Sequence, residues 1–124
     1  MINKVKNIAK KHVEKVINAR RYLHANPSLS EYSSPNFLYF KKKYNDFMYI
    51  DRIAISEKYH RKGFGSLIYK ELYNQSKNLG IPLCCEVNTK PINQQSLDFH
   101  KKLEFSIIEE ISFGKKIVAM LVKN

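Results

Sequence analysis

The run Tyr59-His60-Arg61-Lys62-Gly63-Phe64-Gly65-Ser66 concentrates the groups in this chain best suited to hold an anion. Two of the four glycines stand two residues apart, directly after two cations. A strand pattern ends just before the run and a helical pattern starts at Ser66. A helix N-terminus offers unpaired N–H groups and partial positive charge, which together suit phosphate oxygens. Gly63 and Gly65 let the backbone approach such a ligand closely, and Arg61 and Lys62 add attraction. Taken alone, the same residues also describe a basic turn between a strand and a helix.

The flanking elements follow from periodicity. Phe47 to Ser56, rich in aromatic and β-branched residues, reads as a strand. Residues 66–79 place Leu67, Ile68, Leu72 and Leu79 on one helical face, closed by Gly80 and Pro82. Leu83 to Asn88 is a second strand and Asn93 to Leu103 a further helix. Phe105 to Ile111 and Lys116 to Val122 form a hairpin around Phe113-Gly114-Lys115. Upstream, Val5, Ile8, Ala9, Val13, Val16, Ile17 and Leu23 predict one amphipathic helix over 2–24. Pro27 interrupts it, and Ser34-Pro35 opens a short helix through Phe37, Leu38 and Phe40. The sum is an α/β fold: a mixed sheet of about four strands flanked by helices, with an N-terminal amphipathic helix.

At 124 residues the chain has room for one core. No apolar run approaches the roughly 20 residues needed to span a membrane. The start, MINKVKNIAKK, lacks the apolar stretch of a signal peptide, so a cytoplasmic location is expected. The net charge of +11 suits an anionic partner, although a lysine-rich coding bias accounts for such a charge equally well. A basic nucleic-acid-binding module is one alternative. Against it, the aromatic residues follow core periodicity and no nucleic-acid motif is present. Cys84 and Cys85 are adjacent, which disfavours a disulfide, and no spaced Cys/His pairs suggest a metal.

The whole run DRIAISEKYHRKGFGSLIYKEL resembles the acetyl-CoA signature of the Gcn5-related N-acetyltransferases (GNAT). That pattern has Gln or Arg, two residues, Gly, one residue, then Gly or Ala. Residues 60–65 fit it, with His60 in the leading place. A second block, EVNTKPINQQSLDFHKKLEFSII, resembles the family's later segment at Asn93, Ser96, Phe99, Leu103 and Phe105. His100 stands where a Tyr is usual and Glu104 where a Gly is usual. The resemblance implies acetyl-CoA as acetyl donor and a small-molecule or peptide amine as acceptor, with no metal. It implies a pyrophosphate loop at His60, Arg61, Lys62, Gly63, Phe64, Gly65 and Ser66. Backbone groups of Ile53, Ala54 and Ile55 would pair with the pantetheine arm, which Asn93 and Phe99 would also contact. His100 would lie near the thioester sulfur, where an imidazolium could protonate the departing thiolate; a histidine packed against the sheet is the alternative.

The reaction needs a base for the attacking amine. Asp51 and Glu86, on the two strands beside the implied cleft, are the candidates. A salt-bridged Asp51 and a hydrogen-bonded Glu86 with no catalytic part are the alternatives. Residues 1–33 differ in character: NARRYLHANPSLSEY resembles the opening helix of zinc-dependent amidohydrolases of the aminoacylase and hippurate-hydrolase type. None of His12, His24, His60 and His100 begins the His-x-Asp element of that family. The division expected is a fused helix and linker over 1–33 and an acetyl-CoA-binding domain over 34–124 lacking its first strands. A sheet edge left open by that loss predicts a homodimer, and a loss of the acceptor side would leave only a CoA-binding remnant.

Overall fold

Successive side chains of β2 (Asp46–Ile55), β3 (Leu83–Lys90) and β5 (Lys116–Lys123) point to opposite faces of one sheet. Both faces are covered. Met48, Ile50, Leu83, Cys85, Val87, Ala119 and Leu121 pack with Ile68, Tyr69 and Leu72 of α2 (Phe64–Leu79), and with Leu97 and Phe99 of α3 (Gln94–Lys102). On the other face Phe47, Tyr49, Cys84, Val118, Met120 and Val122 pack with Phe37 and Phe40 of α1 (Pro35–Lys43). The two thiols therefore face opposite sides, both buried and free, and burial pushes both well above the ordinary thiol range. This computed structural model describes residues 15–23, 34–55 and 63–124, with 15–23, 52–55 and 64 given by backbone path alone.

The helix signals act as the sequence predicts. Ser34 Oγ accepts from Phe37 N–H at 3.2 Å and Pro35 fills the first turn of α1. Gly80 closes α2 in the left-handed region at φ +67° and returns its N–H to Ser76 and Lys77 carbonyls.

With β1 (Lys15–Leu23) and β4 (Ser106–Phe113) the sheet runs β1-β2-β3-β5-β4, five strands among the described residues where about four were expected. The helix expected over 2–24 is corrected at 15–23, which is a strand; residues 1–14 and 24 lie outside the described residues. β1 pairs antiparallel with β2 from Lys15↔Ile55 to Leu23↔Asp46, with one irregularity at Asn18/Ala19. Val16, Ile17 and Tyr22 suit a strand as well as a helix, and a nine-residue window holds both periods. Pairing with a distant segment decides between them. Among the described residues one strand thus precedes β2, and it lies along the edge whose exposure was the reason to expect a dimer.

One departure from the resembled pattern carries a measurable strain. Glu104, in the place of a glycine, adopts φ +68° as the chain leaves α3. Its N–H donates to Lys101 and that of Phe105 to His100, which fixes the turn. A residue with a Cβ is disfavoured there. Glu104→Gly is expected to raise stability by about 0.5–1 kcal/mol, read as a higher urea midpoint at unchanged slope.

Candidate active site

β2 and β3 are the only parallel neighbours among the described strands, and their ladder is short. It holds Met48↔Leu83 and Tyr49↔Cys84 and then stops. Both strands run on, β2 still paired to β1 and β3 still paired to β5. Their facing edges therefore part into a wedge whose backbone N–H and C=O groups have no strand partner across it. Such groups are costly to leave unpaired away from water, and an extended, amide-bearing ligand can satisfy them. Ile53, Ala54 and Ile55 lie on the β2 side of this wedge.

The chain leaves β2 at its C-terminal end and the next described element is α2, so the N-terminus of α2 follows the open end of the wedge in the chain. Gly63 caps α2 in the left-handed region at φ +78°, with nothing within 4 Å of a Cβ placed there. Among the described residues no side chain caps the helix, and no acidic residue stands in its first turn. The first intrahelical bond runs from Leu67 N–H to Gly63 C=O. The preceding N–H groups, at Gly65 and the exposed Ser66 among them, have no acceptor within the helix, an arrangement that suits an anion. His60, Arg61 and Lys62 lie outside the described residues, and of Phe64 only the helix path is described.

Past the last paired residues, the next side chains on the α1 face are Asp51 on β2 and Glu86 on β3. The structure thus brings the two expected carboxylates to the mouth of the split, one on each strand. Glu86 is mostly buried, and the Tyr49 hydroxyl donates to both of its oxygens at 2.9 Å. The Asn36 side-chain amide lies beside it and helps to hold the carboxyl down. Burial raises Glu86 from 4.5 to about 7; Asp51 adds to the rise, while the bond from Tyr49, the Asn36 amide and the charge of Lys116 work against it. Burial also drives the Tyr49 hydroxyl far above its usual range, so it stays a donor. Tyr49 and Asn36 were not among the residues singled out from sequence. Their signal is positional: Tyr49 precedes Asp51 by two on the same strand face, and Asn36 follows the cap of α1.

The other expected residues sit on the opposite face. Asn93 caps α3, its Oδ1 accepting from Ser96 N–H at 3.1 Å. Phe99 packs edge-to-face on Tyr69 at 5.1 Å. His100 is buried, 4% exposed. Its Nδ1 donates to the Ser96 carbonyl at 2.7 Å, which leaves Nε2 to accept from the Tyr69 hydroxyl at 2.8 Å. Burial holds the ring below its ordinary value, so it is neutral near pH 7. Both ring nitrogens are engaged, and a standing imidazolium is not what this geometry holds.

Among the described residues no group of three or more potential ligands could hold a metal ion, and no helix is long and apolar enough to cross a membrane.

The model of the acetyltransferase (GNAT) family matches residues 36–105, more than half of the chain. The chain belongs to that family. Its fold is similar to that of Arabidopsis thaliana NAA60 solved in complex with acetyl-CoA, with a TM-score of 0.63 at 14% identity over 93% of this chain and 67% of that one. It is similar to Chaetomium thermophilum Naa20 in complex with a bisubstrate analogue, with a TM-score of 0.63 at 15% identity over 99% and 72% of the two chains. An N-acetyltransferase from Staphylococcus aureus Mu50 gives a TM-score of 0.59 at 17% identity over 90% and 68%. At such identities the likeness shows the fold, and this GNAT chain spans about two thirds of the length of the first of these structures. No curated protein matches it in sequence. None of the matches named here is an amidohydrolase, and the family match begins only at residue 36.

Proposed function

We propose that this GNAT domain transfers an acetyl group from acetyl-CoA to an amine by direct attack, with Glu86 as the base. The observation that carries the reading is the position of Glu86: a mostly buried carboxyl, raised to about 7, at the point where β2 and β3 part. A base poised near the working pH is the most effective one. Acetyl-CoA supplies the activated acetyl carbon. The wedge and the α2 N-terminus suit its pantetheine arm and pyrophosphate, and the net charge of +11 attracts it. The amine nitrogen attacks the thioester carbon, the C–S bond breaks and the nitrogen's proton passes to Glu86. The thiolate leaves and takes a proton from water, and Glu86 then returns its own to solvent. Asp51, across the wedge, adds negative charge that holds a cationic amine before it is deprotonated. NAA60 and Naa20 have been solved with bisubstrate analogues, and Arabidopsis thaliana Naa50 with the analogue CoA-Ac-MVNAL, which favours a peptide amine among the acceptors to try first.

The test is thiol release from acetyl-CoA in the presence of short peptides with free α-amines, lysine derivatives and arylalkylamines. Amine-dependent release supports the reading; release no faster than hydrolysis with every amine contradicts it and leaves a domain that binds CoA without turnover.

His100 is assigned a packing role rather than that of proton donor. His100→Leu leaves the Tyr69 hydroxyl buried without its acceptor, a loss of about 1–3 kcal/mol. The expected result is a lower thermal midpoint with acetyl transfer per folded molecule within about threefold of wild type. A fall of a hundredfold in turnover at full folding would restore the donor role.

A further inference from the structure

Beside Glu86 lies an acceptor atom with no partner. The Asn36 amide lies beside the Glu86 carboxyl and holds it down, yet its Oδ1 is shielded from water and accepts from nothing. A buried acceptor left unpaired costs about 1–3 kcal/mol, and native structures hold few of them. Nothing in the packing of α1 requires the amide. The apolar neighbours Phe37 and Phe40 anchor that helix at 0% exposure, and Ser34 supplies its cap. Leaving this oxygen unmatched is understandable if a donor arrives only with substrate.

We propose that Asn36 Oδ1 binds the acceptor amine, taking one N–H while Glu86 receives the other. This rests on the reading of Glu86 as the base. Both residues are partly exposed, and χ2 of an asparagine is a soft torsion that can turn Oδ1 out of its shielded position toward an arriving amine. Two acceptors side by side ask for two N–H groups on one nitrogen. A primary amine provides both during attack and a secondary amine only one. The attacking lone pair is fixed by the pair of contacts, as a single contact to Glu86 would not fix it. Asn36 in this account touches substrate, whereas Tyr49 acts through Glu86 and is a positioning residue.

The direct test is a ¹⁵N–¹H spectrum of the full chain, titrated with ethylammonium chloride. The side-chain amide pair that vanishes in Asn36→Ala identifies the reporter. It is expected to shift and saturate with ethylammonium and to stay in place with tetramethylammonium, which has the charge but no N–H. A reporter that ignores ethylammonium, or follows both cations alike, overturns the proposal. In turnover with ethylamine, Asn36→Ala is expected to raise the amine KM about tenfold, the worth of one hydrogen bond, with the acetyl-CoA KM within twofold. An unchanged amine KM overturns it equally. Saturable shifts without any turnover would remove the enzyme reading and leave the amine contact standing.

Discussion

Glu86→Gln is expected to lower kcat for acetyl transfer by about 10²–10⁴-fold, the range a positioned base contributes, while making the protein more stable at pH 8. The two effects share one cause. In the native chain burial raises the Glu86 carboxyl to about 7, against 4.5 for the free group. Between those values the native state holds a proton that the unfolded chain has released, so stability falls as pH rises through that window. Above pH 7 the native carboxylate is ionised at a mostly buried position, at a cost of about 1–3 kcal/mol. Glutamine removes the charge and keeps the shape. Its carbonyl accepts from Tyr49, and its amide can donate to the unpaired Asn36 Oδ1. In wild type, kcat/KM should rise with pH through about 7 and level off, as the base ionises beneath Tyr49, Asn36, Asp51 and Lys116. In Glu86→Gln that rise is absent. Thermal midpoints at pH 5 and 8, set beside a pH–rate profile, check both halves. A variant that keeps its activity, or that loses stability at pH 8, contradicts the assignment.

The second large effect belongs to donor binding. Gly65→Glu is expected to weaken acetyl-CoA binding at least a hundredfold with the fold intact. Gly65 lies in the first turn of α2, where an acidic side chain favours the helix by about 0.3–1 kcal/mol, and no acidic residue is already there. The carboxylate then sits at the N–H groups left for the pyrophosphate and repels it. Calorimetric titration of acetyl-CoA, paired with a thermal melt of the same variant, separates lost binding from lost structure. Affinity within threefold of wild type would place the pyrophosphate elsewhere.

Much of this architecture is legible in the residues because local and non-local signals agree there. Ser34-Pro35 and Gly80 punctuate their helices by backbone chemistry that needs no tertiary context. Alternation in Phe47-Met48-Tyr49-Ile50 specifies a strand buried on both faces, as found. Residues 15–23 misled because Val16, Ile17 and Leu23 satisfy a helical stripe, and only the register with β2 reveals a strand. His100 was identifiable as a position but not in its state. The bond from Tyr69, thirty-one residues away, and the Ser96 carbonyl beneath it fix the tautomer and keep the ring neutral. Asp51 and Glu86 could be named as carboxylates on neighbouring strands. Their meeting at the split depends on a ladder that ends after two pairs, which no local pattern announces. Asn36 went unnoticed because an asparagine after a Ser-Pro cap looks like part of the helix start.

The most direct test of the central claim is a crystal structure of the chain with CoA bound. The pantetheine arm is expected in the wedge between β2 and β3, its amides paired to the backbone of Ile53–Ile55. The pyrophosphate should lie on the N–H groups at Gly63–Ser66, and the thiol at the split beside Glu86. CoA bound elsewhere, with β2 and β3 zipped together past Tyr49 and Cys84, would contradict it.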